Sequence, residues 1–167
     1  RKGRLLRPGG LRLPADVRCF ISGLIEKETM LYRSLGEFIA REESAVDEGN
    51  METLLLVLQE KQKVIEAQEK MTDEWDELAR TLSVDCGRES DDFWNVVRSN
   101  VGRPEYDEIR RSLEAMRSLA AGLLQKEKDV QNKLETVVTD LRQQMITMQH
   151  ARKAVQGYSR SSGSIRP

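Results

Sequence analysis

The feature that most constrains this chain is an apolar stripe in its last third. Tyr106, Ile109, Leu113, Met116, Ala120, Leu123, Val130, Leu134, Val137, Leu141, Met148, Ala151 and Val155 recur on alternating three- and four-residue steps, interrupted only by Glu127 and Gln144. Steps averaging three and a half residues return to one face of an α-helix and to no face of a strand. No proline falls between Glu105 and Gln156, so the pattern predicts a single helix over that range, roughly 78 Å long at 1.5 Å per residue. Such a helix cannot bury its own stripe. The rest of the chain has to supply something to lie against it.

Two shorter helices are available. From Pro14, the residues Val17, Ile21, Leu24, Leu31, Leu35, Phe38 and Ala45 share one face, with Glu28 and Glu42 as polar interruptions. Pro14 suits a first helical turn, Asp16 complements its positive end, and Gly49-Asn50 provides a stop followed by a new N-cap. Met51 opens the next helix, with Leu54, Leu55, Leu58, Ile65, Trp75, Ala79 and Leu82 on its apolar side, ending near Val84 and closed by Cys86-Gly87. A link this short folds the two helices into an antiparallel hairpin. Ser90 then caps a connector whose first turn holds Asp91 and Asp92 and whose bulk is Phe93, Trp94, Val96 and Val97. The Phe93-Trp94 pair reads as a lid over the end of the hairpin, with a binding knob as the alternative. Gly102 and Pro104 break the chain before the long helix.

The expected fold class is therefore all-α: an elongated antiparallel helical hairpin, a short connector helix and a long C-terminal helix, forming a three- to four-helix coiled-coil bundle. Residues 14–156 make one domain, between a basic leader over 1–13, expected to be flexible, and a flexible tail over 157–167. The lengths do not match. The hairpin helices reach roughly 50 Å each, so the long helix runs out of partner near Val137 or Val138 and about 18 residues project. An uncovered strip carrying Leu141, Met145, Ile146, Met148 and Val155 is unusual on a soluble monomer and fits a docking face for another chain's amphipathic helix, with the methionines able to repack around varied side chains. The other course is that the helix bends back, with Gly122 as the bending point, or that the first helix extends through the leader; these residues are then ordinary core.

Several function classes are excluded by what the residues lack. Lys and Arg total 27 against 28 Asp and Glu, so no overall field draws the chain to nucleic acid. The charge is nonetheless uneven: residues 14–100 hold 10 basic and 20 acidic side chains, while both flanks are basic, an asymmetry that side-by-side helices can absorb. The basic leader has no interleaved aromatic residue of the kind that stacks on bases. No apolar run spans a membrane and no secretory signal is visible, which predicts a soluble, cytoplasmic protein without membrane insertion. Cys19 and Cys86 lie far apart, and His150, the single histidine, has no acidic or cysteine partner a turn away, so no metal or other cofactor is expected. The acidic pairs, such as Asp73-Glu74 and Asp91-Asp92, read as solvated helix faces, and no phosphate loop or nucleophile elbow is present. Catalysis is not expected.

One stretch resembles a known family. The run Glu42-Glu43-Ser44-Ala45-Val46-Asp47-Glu48-Gly49-Asn50-Met51-Glu52-Thr53-Leu54, followed by Glu60-Lys61-Gln62-Lys63, is similar to the turn of FlgN-type flagellar export chaperones, in which an acidic "EGN" or "EGD" turn precedes a Leu-, Glu- and Lys-rich helix. The resemblance spans roughly Asp16 to Tyr158. It implies a cytoplasmic, non-enzymatic chaperone that holds flagellar hook-associated (hook-filament junction) proteins unassembled and delivers them to an export-gate component. It also implies client contacts on Val137, Val138, Leu141, Met145, Met148 and Val155, with Tyr158 touching the export gate. The Ser/Gly/Arg tail and the basic leader depart from the family pattern. The competing class is a structural or adaptor coiled coil that self-associates through the last helix as a homodimer.

Overall fold

A computed structural model describes residues 14–161 as four helices in chain order: α1 Pro14–Asp47, α2 Met51–Thr81, α3 Asp91–Asn100 and α4 Arg103–Ser161. The basic leader and residues 162–167 lie outside the described residues. The turn between α1 and α2 forms as its residues dictate. Gly49 takes the left-handed conformation with φ 66°, its N–H bonds the Val46 carbonyl and the Asn50 N–H bonds the Ala45 carbonyl, which together satisfy the last carbonyls of α1. The Asn50 side chain then accepts a hydrogen bond from the Thr53 N–H at 3.0 Å and starts α2. One residue closes a helix and opens the next.

The end of α2 differs from the sequence expectation. It stops at Thr81, short of Val84, because Ser83 takes the left-handed position with φ 58°, while the Val84 N–H bonds back to the Ala79 carbonyl. The serine occupies a place that glycine usually fills, and Cys86-Gly87 plays no part in the cap. The start of α4 lies two residues before Glu105, at Arg103, and the helix runs five residues beyond Gln156, straight through Gly157 to Ser161. It is also unbroken at Gly122.

α1 is the middle element, with α2 antiparallel on one side and α4 alongside it on the other. Ion pairs fix the direction of α4: Arg18 meets Glu108 near the start of both helices, and Lys133 meets Glu43 and Asp47 near the end of α1. The two come close at Gly36, where a Cβ would stand 3.0 Å from the Leu123 side chain. The main core lies at the open end of the hairpin, where Ile21, Leu24, Trp75, Leu78, Phe93, Val97, Ile109 and Leu113 are buried together. Ser90 Oγ accepts from the Phe93 N–H at 3.2 Å, and the Phe93 and Trp94 rings pack edge to face at 5.0 Å with Trp75 beside them. The aromatic pair is a lid.

Two buried ionic clusters replace apolar contacts at the interrupted stripe positions. Glu28 is fully buried; it accepts hydrogen bonds from Arg88 at 2.9 Å, Trp75 Nε1 at 3.0 Å and Tyr32 Oη at 3.3 Å. Burial alone would raise its carboxyl, but the hydrogen bonds and charge of Arg88, helped by Trp75 and Tyr32, outweigh burial and hold it below the usual range. Further along, Lys61 Nζ reaches Glu42 at 2.9 Å and Glu127 at 2.6 Å, so three helices meet at one ammonium. Here burial dominates and pushes Glu42 up despite Lys61, with the negative charge of Glu127 adding to the rise.

The register of α2 follows from that lysine. Leu54, Leu55, Leu56, Val57 and Leu58 are consecutive and leave the apolar face undefined by pattern alone. With Lys61 turned inward, Leu54 and Val57 are buried, whereas Leu55 and Leu58, expected on the core face, are exposed. In α1 the same kind of shift buries Ile39 in place of the half-buried Phe38.

Because the folded-state carboxyl of Glu28 lies below its unfolded value near 4.5, its contribution is present above that pH and is lost as pH falls through the folded value. Glu28→Gln leaves Arg88 without its counter-charge and is expected to cost on the order of 3 kcal/mol near neutral pH. Paired thermal melts should show the gap from wild type closing as the buffer is taken below pH 4.5.

Candidate functional site

α4 is 59 residues long and α1 only 34, roughly 88 Å against 51 Å. The two start together at the open end of the hairpin, so α4 passes the Gly49 turn and continues. The last side chains covered by the hairpin are Leu134 and Val137, half-buried against Ala45, Val46 and Leu54. Lys133 braces this exit with contacts of 2.7 Å to Glu43 and 3.1 Å to Asp47, and those two partners, Glu43 first, raise its pKa above the ordinary lysine value.

From residue 138 to 160 every side chain is exposed. Val138, Leu141, Met145, Met148 and Val155 follow the spacing of the buried stripe and form its uncovered continuation, about 26 Å of exposed helix face. Exposure rises outward from 37% at Val138 to 57% at Met148 and 68% at Val155. Ile146 stands off to one side at 47%, and Tyr158 is exposed two turns past Ala151. The structure thus places five of the six expected client-contact residues on one free face, while Val137 belongs half to the junction with the hairpin. The helix does not bend back.

The hairpin adds apolar surface, including Leu55 and Leu58, which the helical pattern places in the core. Met51, Leu55, Leu56 and Leu58 are exposed on α2 at the same end of the bundle from which α4 departs. The signal for them was the five-residue apolar run itself, more than one helix face can bury. A second feature has no marker in sequence: α2 and α4 pack mainly on α1 and little on each other. Between them lies a nearly apolar groove of about 290 Å³, walled by Tyr32, Leu35, Ile39, Ile65, Leu123 and Leu124, with Lys61 and Glu127 at its rim.

Among the described residues, no three of His, Cys, Asp and Glu gather where they could hold a metal ion, and no helix is long and apolar enough to cross a membrane. The chemistry on offer is that of an extended apolar face. Residues 21–164 match the family model described as FlgN protein. No curated protein and no solved structure matches the chain.

Removing everything after Asp140 takes away no buried side chain among the described residues. The shortened protein is expected to melt within about 0.5 kcal/mol of the full chain. Ending the chain after Gln125 instead removes Glu127 and Val130 and leaves buried Lys61 with Glu42 alone, at a cost of about 3 kcal/mol. Circular dichroism melts of the two truncations separate scaffold from projection.

Proposed function

The chain belongs to the FlgN family of flagellar export chaperones, and from that premise we propose that it is a cytoplasmic chaperone of hook-filament junction proteins. The projecting end of α4 captures a disordered or amphipathic terminus of such a client, keeps it from assembling early and carries it to the export apparatus. The observation that supports this reading is the free continuation of the stripe through Val138, Leu141, Met145, Met148 and Val155. An apolar helix face left bare beyond the end of the hairpin gains from covering, and a segment that orders as a helix on contact can cover it.

The energetics suit a chaperone. A disordered terminus loses conformational entropy when it orders on the strip, so affinity per unit of buried area stays modest and release at the export gate stays easy. Methionines at 145 and 148 accommodate clients of differing side-chain shape. Tyr158, beyond the strip, is assigned the contact with the export gate.

Met148→Asp is expected to abolish co-purification with the C-terminal segment of a hook-associated protein while leaving the thermal melt unchanged. Undiminished binding, or a collapse of stability, overturns the assignment. Mass measurement separates this reading from a self-associating scaffold: the chaperone forms a complex when client is added, whereas the scaffold is a tight homodimer indifferent to it.

A further inference from the structure

The bare strip has a charged edge. Residues 138–161 contain one acid, Asp140, against Arg142, Arg152, Lys153 and Arg160. Steps of eleven and seven residues return to nearly the same side of an α-helix, so Arg142, Lys153 and Arg160 stand in one row along a flank of the strip. Arg152 rises within the strip, between Met148 and Val155. All four are exposed, and Arg142, Arg152 and Lys153 form no ion pair among the described residues.

In its covered part α4 carries both signs: Glu108 and Glu127 meet Arg18 and Lys61, while two of its bases meet acids. Lys133 meets Glu43 and Asp47 of α1, and Arg117 meets Glu89 just before α3. Past the hairpin four more bases follow on α4, and no acid of α1 reaches them. Resting on the client-binding reading above, we propose that the partner is an amphipathic helix with carboxylates along one edge of its apolar face, recurring at seven- and eleven-residue intervals to meet Arg142, Lys153 and Arg160.

Other occupants fit less well. A second copy laid on the strip would set four bases against four, with a single acid from each chain. An anionic membrane would have to take Arg152 into its acyl boundary, because that residue sits inside the apolar face. A carboxylate on a facing helix pairs with it instead.

The test uses the full chain and two labelled synthetic peptides with the same Leu/Ala stripe, one bearing Glu and the other Lys along both edges. Wild type is expected to bind the Glu peptide about three- to tenfold more tightly by fluorescence anisotropy, as a few exposed pairs allow. The gap should close toward 1 M NaCl, where screening acts within about 3 Å. Arg142→Glu combined with Lys153→Glu is expected to invert the preference with an unaltered melt. Equal binding of both peptides overturns the charge assignment and leaves the strip as a client site; no binding of either peptide, together with client capture unaffected by Met148→Asp, overturns the strip itself and the proposal with it. Preference for phosphatidylserine vesicles over the Glu peptide, or a homodimer that excludes both peptides, likewise overturns it.

Discussion

Lys61 lies inside the bundle with Glu42 and Glu127 both beside it. An ammonium this far from water is costly to bury, and a single carboxylate, itself pushed toward protonation by burial, would not offset the cost. The three residues belong to three helices, so this one contact sets how α2 is rotated, how far α4 has slid along α1, and how the groove between α2 and α4 is held open. Move α4 by one turn and Glu127 leaves the ammonium. The length of helix that overhangs the Gly49 turn is thereby fixed as well.

Most of the architecture was legible because it rests on periodicity and caps. Gly49-Asn50, Ser90 and the break at Gly102-Pro104 mark boundaries through local hydrogen bonding, and local rules apply without knowing the neighbours. The misreadings have a common physical origin. Leu55 and Leu58 were placed inward because apolar character was the only guide within a run of five such residues, whereas a lysine decides the rotation. Ser83 in a left-handed cap leaves no glycine to signal it. Glu28, Glu42 and Glu127 appeared as faults in otherwise regular stripes; their partners Arg88 and Lys61, up to 66 residues away in sequence, turn those faults into fastenings. A polar residue at a core position says that a counter-charge exists but not where.

The candidate binding face was legible for a different reason. It follows from comparing lengths, and helical rise is the most dependable number available from sequence. The chain carries an exposed Leu141 and a buried Leu113 on the same repeat, and nothing local distinguishes them. What separates them is where the hairpin ends. Scaffold and binding surface are two stretches of a single pattern, one already satisfied from within the chain and the other not.

The connectivity has a further effect during synthesis. Among the described residues every buried side chain lies before residue 138, so all of them clear the ribosome before the bare stripe does. Domains close in the order in which they are made. The hairpin, its lid and the first half of α4 can finish packing while the adhesive end is still in the exit tunnel, which keeps that end from competing with its own covered half for the groove on α1. Placing the sticky segment after the packed one lets the bundle fold before it is able to hold anything else.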